Sequence, residues 1–135
     1  MSKVVPALAL AGAASARIVG LAAPKVIVAN ETFTVTLLTE NYIQSVKDLV
    51  AAFALTPRAD ADGYIGTEYL GSFYLGPDKS NVLTNITFEV TAPATNIGNY
   101  LNGVVTSLYG VSNGATTIQW TVPVTYGDEV SSEQV

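Results

Sequence analysis

Residues 117–126 read TIQWTVPVTY, and their alternation decides the fold class. Ile118, Trp120, Val122, Val124 and Tyr126 fall on one parity, while Gln119, Thr121, Pro123 and Thr125 fall on the other. Side chains of a strand point alternately to opposite faces, so the first set is expected to face a core and the second water. Pro123 has no N–H to give to a ladder, which predicts an edge or a bulge at that point.

The same period recurs upstream. Phe33, Val35 and Leu37 share one face of residues 32–39, and Ile86, Phe88 and Val90 share one face of residues 82–91. Residues 69–75 place Tyr69, Phe73 and Leu75 together, and residues 101–109 are apolar on both faces, as a central strand would be. Residues 17–21, continuing through 25–28, supply the opening strand. Asn-Gly occurs at 102–103 and 113–114, but only the second lies between two apolar runs as a hairpin requires. Residues 45–55 fit two readings. Val46, Leu49, Val50 and Phe53 make a helix face with Ser45 as cap and Asp48 in the first turn. Alternatively, Leu49, Ala51, Phe53 and Leu55 share one side of a strand. Strand is expected, because every neighbour is one. Short strands separated by turn residues predict an all-β chain: an immunoglobulin-like or fibronectin-like antiparallel β-sandwich of about seven strands.

No disulfide can staple it, because the 135 residues contain no cysteine. The chain opens with Met1-Ser2-Lys3, an apolar stretch from Val4 to Ala13, and the small tripeptide Ala14-Ser15-Ala16. That is the pattern of a secretory leader spanning residues 1–16, with the mature chain starting at Arg17. Ten apolar residues are too few to cross a bilayer, so no membrane insertion is expected. Residues 17–126 then form one domain, and the acidic residues 127–135 a flexible tail. A domain of this length buries roughly 65% of its unfolded surface, enough for a core without staples. A net charge of −5 with six scattered cations argues against nucleic acid as a partner.

Catalytic chemistry is thinly represented. With no histidine and no cysteine, the commonest general base, the thiolate nucleophile and the usual zinc ligands are missing. No enzyme activity, metal or cofactor is expected. Asp60 and Asp62 are the closest carboxylate pair, but they lie in a polar stretch, Arg58-Ala59-Asp60-Ala61-Asp62-Gly63, without the spacing or terminal glutamate of a calcium loop. A solvated turn explains them. Among the aromatics, Trp120 and Tyr126 are expected in the core, and Tyr74, on the parity opposite to Phe73 and Leu75, at the surface. Two glycosylation sequons occur, Asn30-Glu31-Thr32 in an expected turn and Asn85-Ile86-Thr87 on an outward parity.

Two blocks carry more than pattern. Arg17-Ile18-Val19-Gly20-Leu21 with Pro24-Lys25 leads to Thr39-Glu40-Asn41-Tyr42-Ile43-Gln44-Ser45-Val46. The second block is Leu70-Gly71-Ser72-Phe73-Tyr74-Leu75-Gly76-Pro77-Asp78-Lys79-Ser80-Asn81-Val82-Leu83. Together they make the chain resemble the fungal necrosis-inducing secreted protein (Nis) family, over nearly the whole mature length. The resemblance implies a secreted fungal effector, acting outside the plant cell or delivered into it. It further implies suppression of pattern-triggered immunity by binding plant immune kinases, a co-receptor kinase and a receptor-like cytoplasmic kinase.

No contact motif comes with the resemblance, so the expected partner-binding residues are chosen physically. Tyr42 and Gln44 are expected in a loop, and Tyr74, Asp78 and Lys79 on an outward face and the turn after it, giving aromatic and charged contacts on a monomer. A plain turn at Gly76-Pro77-Asp78-Lys79 is the competing explanation. A wall-binding module that stacks exposed aromatics on carbohydrate is the alternative function, and a carboxylate-dependent glycosidase a third.

Overall fold

The computed structural model describes residues 15–57, 63–96 and 98–135. Every helix or strand among them is a strand: β1 (Ser15–Ala22), β2 (Val26–Ile27), β3 (Thr32–Tyr42), β4 (Val46–Thr56), β5 (Glu68–Tyr74), β6 (Ile86–Thr91), β7 (Tyr100–Tyr109), β8 (Gly114–Pro123) and β9 (Thr125–Tyr126). The longer seven form two antiparallel sheets, ordered β1-β3-β6 and β5-β4-β7-β8. The short β2 and β9 pair in parallel beside them.

One core lies between the two sheets. Phe33, Val35 and Leu37 of β3 and Ile86, Phe88 and Val90 of β6 enter from one side, and Ala51, Phe53, Leu55, Leu101 and Val105 from the other. Phe88 stacks on Phe73 at 4.6 Å between ring centroids and lies 5.9 Å from Phe53, so three rings tie the layers together. Gly103, in the middle of the central strand β7, makes this possible. A Cβ there would stand 3.1 Å from the Phe53 ring and 3.3 Å from Leu21.

Of residues 45–55, all but Ser45 are strand, within β4, with a shift of register between Asp48 and Val50. The extra residue is Leu49. Ahead of it Val46 and Asp48 point inward, and beyond it Ala51, Phe53 and Leu55 do. Leu49 therefore leaves the core-facing set expected for it. A second shift falls opposite Phe53 and Ala54, where Leu70 is the extra residue of β5. A one-residue bulge exchanges the faces of all that precedes it. Leu70 and Phe73 pack on the core, and Tyr69, expected inside, is 61% exposed.

Residues 117–126 are two strands, not one. β8 starts at Gly114, after a turn of residues 110–113 in which Asn113 takes φ 54°, and ends at Pro123. As the edge of its sheet β8 is covered on one flank only, so Trp120 and Val122 are half-buried and Ile118 is exposed, although their parity is inward. Val124 is fully buried, and Thr125 and Tyr126 pair with β2. The opening strand also breaks, at Ala22. The chain crosses Ala23-Pro24 and leaves β3 for β9. Of residues 82–91, only Ile86–Thr91 are strand.

Residues 127–135, expected to be loose, run hydrogen-bonded along the segment 23–27. Gly127 N donates to Ile27 O at 3.0 Å, Ser131 N to Val26 O at 3.1 Å, Lys25 N to Glu133 O at 2.8 Å and Val135 N to Ala23 O at 2.9 Å. At the other terminus of the domain, β1 begins two residues before Arg17, and Ser15 pairs with Tyr42.

Candidate interaction surface

Strand direction gathers one set of connections at one end of the sandwich. Here lie the start of β1, the β3–β4 loop (residues 43–45), the β5–β6 connection (residues 75–85) and the β7–β8 turn (residues 110–113). Gly110 N donates to Ser45 O at 2.8 Å, which holds two of these loops side by side. At their tips Ile43 is 93% and Val111 98% exposed. Neither sequence position had a periodic reason to be noticed. An aliphatic residue inside a turn is the signal that could have found them, because a turn residue has no core to reach.

Tyr42 is the last residue of β3 and half-buried, so it is not in a loop as expected. Its ring meets Tyr109 edge-on at 5.6 Å, and the Arg17 guanidinium lies over it, 4.5 Å from the centroid. Arg17 also donates to Glu40 Oε2 from Nη2 at 2.8 Å and from Nε at 3.1 Å. The hydrogen bond to Glu40 raises the already high pKa of Arg17. Burial, and then the charge of Asp48, raise that of the Tyr109 phenol. Gln44 is exposed, and its Oε1 accepts from the Tyr42 hydroxyl at 3.5 Å.

Tyr74, Asp78 and Lys79 form the second group. Tyr74, at the end of β5, is 78% exposed as expected. Its ring lies over Gly76, which takes φ 52°, and a Cβ there would fall 2.6 Å from the ring. Asp78 and Lys79 are exposed in the turn, which Lys79 N closes on Leu75 O at 3.0 Å. Lys79 Nζ is 4.9 Å from the centre of the Phe88 ring, so this cation caps the core. A depression of about 320 Å³ lies beside Tyr74, between Lys47, Leu49 and Pro77. The five chosen residues thus share one end of the sandwich, in two groups on different strands.

Charge is unevenly placed. At this end Arg17, Lys47 and Lys79 balance Glu40, Asp48 and Asp78. Toward the other end, among the described residues, Lys25 stands against Glu31, Glu68, Glu89, Asp128, Glu129 and Glu133. The loop end is therefore neutral, aromatic and tipped with aliphatic side chains on an otherwise acidic protein. Tyrosine and arginine are residue types enriched at interface hot spots, the aliphatic tips add apolar area, and a core poor in net charge is what interfaces prefer.

Both sequon asparagines are exposed: Asn30 in a turn with φ 64°, and Asn85 just before β6, its Oδ1 accepting from Thr39 N at 3.2 Å. Asp60 and Asp62 lie outside the described residues. Among the described residues no three His, Cys, Asp or Glu side chains cluster as metal ligands would, and no helix is long and apolar enough to cross a membrane.

Comparison with known proteins matches residues 14–125 to the Nis1 family. Necrosis-inducing secreted protein 1 of Colletotrichum orbiculare is 41% identical over 139 aligned positions, covering 100% of this chain and 85% of that protein. Its namesake in Colletotrichum higginsianum is 40% identical over 136, covering 99% and 94%. Among solved structures, a superoxide reductase (neelaredoxin) from Ignicoccus hospitalis aligns over 93% of this chain and 87% of its own, at 9% identity and a TM-score of 0.42, too low to bear on fold or chemistry. Both Colletotrichum relatives are named as secreted, and this chain is extracellular with them. Matched over most of its length and at two-fifths identity, the chain belongs to the Nis1 family of necrosis-inducing secreted proteins.

Proposed function

We propose that this protein is an effector that suppresses the pattern-triggered immunity of a plant host by binding immune kinases, a co-receptor kinase and a receptor-like cytoplasmic kinase, without turnover. Membership of the Nis1 family is the observation that carries this reading. The neutral loop end, with Ile43 and Val111 at its tips and Tyr42 and Tyr74 behind them, is the surface we assign to the partner. The scaffold is read as a fibronectin-like sandwich, a reading favoured by the orders β1-β3-β6 and β5-β4-β7-β8; a monomer carrying glycans on Asn30 and Asn85 completes the proposal.

The test is binding of the secreted protein to plant immune-receptor kinase domains, beside an unrelated acidic β-sandwich. A dissociation constant in the micromolar range or below, about −8 kcal/mol or better, is expected. Ile43→Asp with Val111→Asp should weaken it at least tenfold, and absence of binding to every kinase domain overturns the reading. A second reading, binding to wall carbohydrate, is favoured by the exposure of Tyr64, Tyr69 and Tyr74. Retention on insoluble chitin or glucan, lost in Tyr74→Ala, would support it.

A further inference from the structure

We propose that removal of the leader spares Ser15 and Ala16, the cut falling before Ser15. The peptidase that removes a secretory leader requires small residues one and three positions before the cut. Residues 11–16 are all small, so Ala11-Gly12-Ala13, Gly12-Ala13-Ala14, Ala13-Ala14-Ser15 and Ala14-Ser15-Ala16 all satisfy it. Residue type alone chooses none of them, but the fold separates the cuts before Ser15 from those after it. Ser15 and Ala16 are the first two residues of β1, in register with Tyr42 and Asn41 of β3. Ala16 is 1% exposed, and its N–H donates to Asn81 Oδ1 at 2.8 Å.

Asn81 is held for that contact. It takes the left-handed φ of 57°, and its own N–H donates to Asp48 Oδ2 at 3.2 Å, while Asp48 Oδ1 accepts from the Ser107 hydroxyl. The start of β1 is thereby joined to β4, β7 and the connection that follows the Tyr74 turn. A cut after Ala16 would delete the donor to Asn81, remove two paired residues of β1 and set a new ammonium on Arg17 at the broken end. A cut after Ala13 or Ala14 leaves every one of these contacts in place. The small size of Ser15 and Ala16, which makes them resemble a recognition tripeptide, follows equally from their being buried.

The inference rests on the reading that the chain is exported through a cleaved leader. The full chain is expressed in a secreting yeast, and the protein in the medium is analysed by N-terminal sequencing and intact mass after removal of glycans. A first residue of Ala14 or Ser15 is expected. A first residue of Ala16 or Arg17 overturns the proposal and leaves export standing, whereas retention of Met1 overturns both. In the same secreted protein, Asn81→Gly keeps the left-handed backbone and deletes the acceptor, and should lower Tm by roughly 2–5 °C. An unchanged Tm would overturn the role given to the Ala16–Asn81 contact.

Discussion

Ser107 Oγ donates a 2.6 Å hydrogen bond to Asp48 Oδ1, and both residues are buried where β4 and β7 run side by side. Asn81 N–H donates to the other carboxylate oxygen at 3.2 Å, and Asp48 N–H to Ser80 Oγ at 2.6 Å. The carboxylate is satisfied by neutral donors from two other segments. A buried charge of this kind is tolerated only while those donors stay in place.

Asp48→Ala leaves the buried Ser107 hydroxyl and the part-buried Asn81 N–H without their acceptor. The buried hydroxyl dominates, so a loss of roughly 1–3 kcal/mol is expected in urea unfolding. Asp48→Asn should cost less, because one oxygen still accepts. A loss below about 0.5 kcal/mol for Asp48→Ala would show that water replaces the carboxylate, since only surface substitutions are that mild.

Deleting residues 129–135 removes three backbone hydrogen bonds to the segment 23–26 and uncovers Ala23. A loose tail would leave stability unchanged, whereas the bonded one predicts a loss on the order of 2–3 kcal/mol. Thermal unfolding of the two secreted forms distinguishes these outcomes.

Tyr109 and Tyr126 set the alkaline limit. Burial raises the pKa of both phenols, helped by the charge of Asp48 for Tyr109 and of Glu68 for Tyr126. The fold thus favours the protonated phenol. That contribution is complete below the ordinary tyrosine value, about 10, and is lost as pH rises through the raised values in the folded state. Tm should hold up to pH ~10 and fall beyond it, and Tyr109→Phe should flatten the fall. Ultraviolet titration of tyrosinate should show these two as late components.

Gly76→Ala combines a left-handed φ with a Cβ 2.6 Å from the Tyr74 ring. The backbone penalty is about 1 kcal/mol, and the ring must swing away as well. Stability should fall by roughly 1–2 kcal/mol. Partner binding should fall further than this loss accounts for, because Tyr74 leaves its place at the loop end; equal affinity would remove Tyr74 from the surface.

All-β character, the core faces of β3 and β6, the central place of β7 and the hairpin at Asn113-Gly114 were legible in the sequence. Each is a local matter of period and turn chemistry. Family membership was legible too, because Leu70 to Leu83 is an order of residues that pattern alone does not produce. Where those strands bulge was not legible. The extra residues Leu49 and Leu70 leave no mark in a hydrophobicity pattern, yet they turn Tyr69 outward and Asp48 inward.

The sequence by itself thus determined a class of fold, the absence of disulfide or histidine chemistry, and a lineage, since composition and residue order travel with the chain. Only the tertiary structure decided that β8 is an edge, that the tail is bonded, that Ser15 and Ala16 belong to β1, and that Ile43, Val111, Tyr42 and Tyr74 lie at the same end of the sandwich. Those outcomes depend on contacts between residues far apart in the chain, where closing the loop costs entropy that only the assembled core offsets.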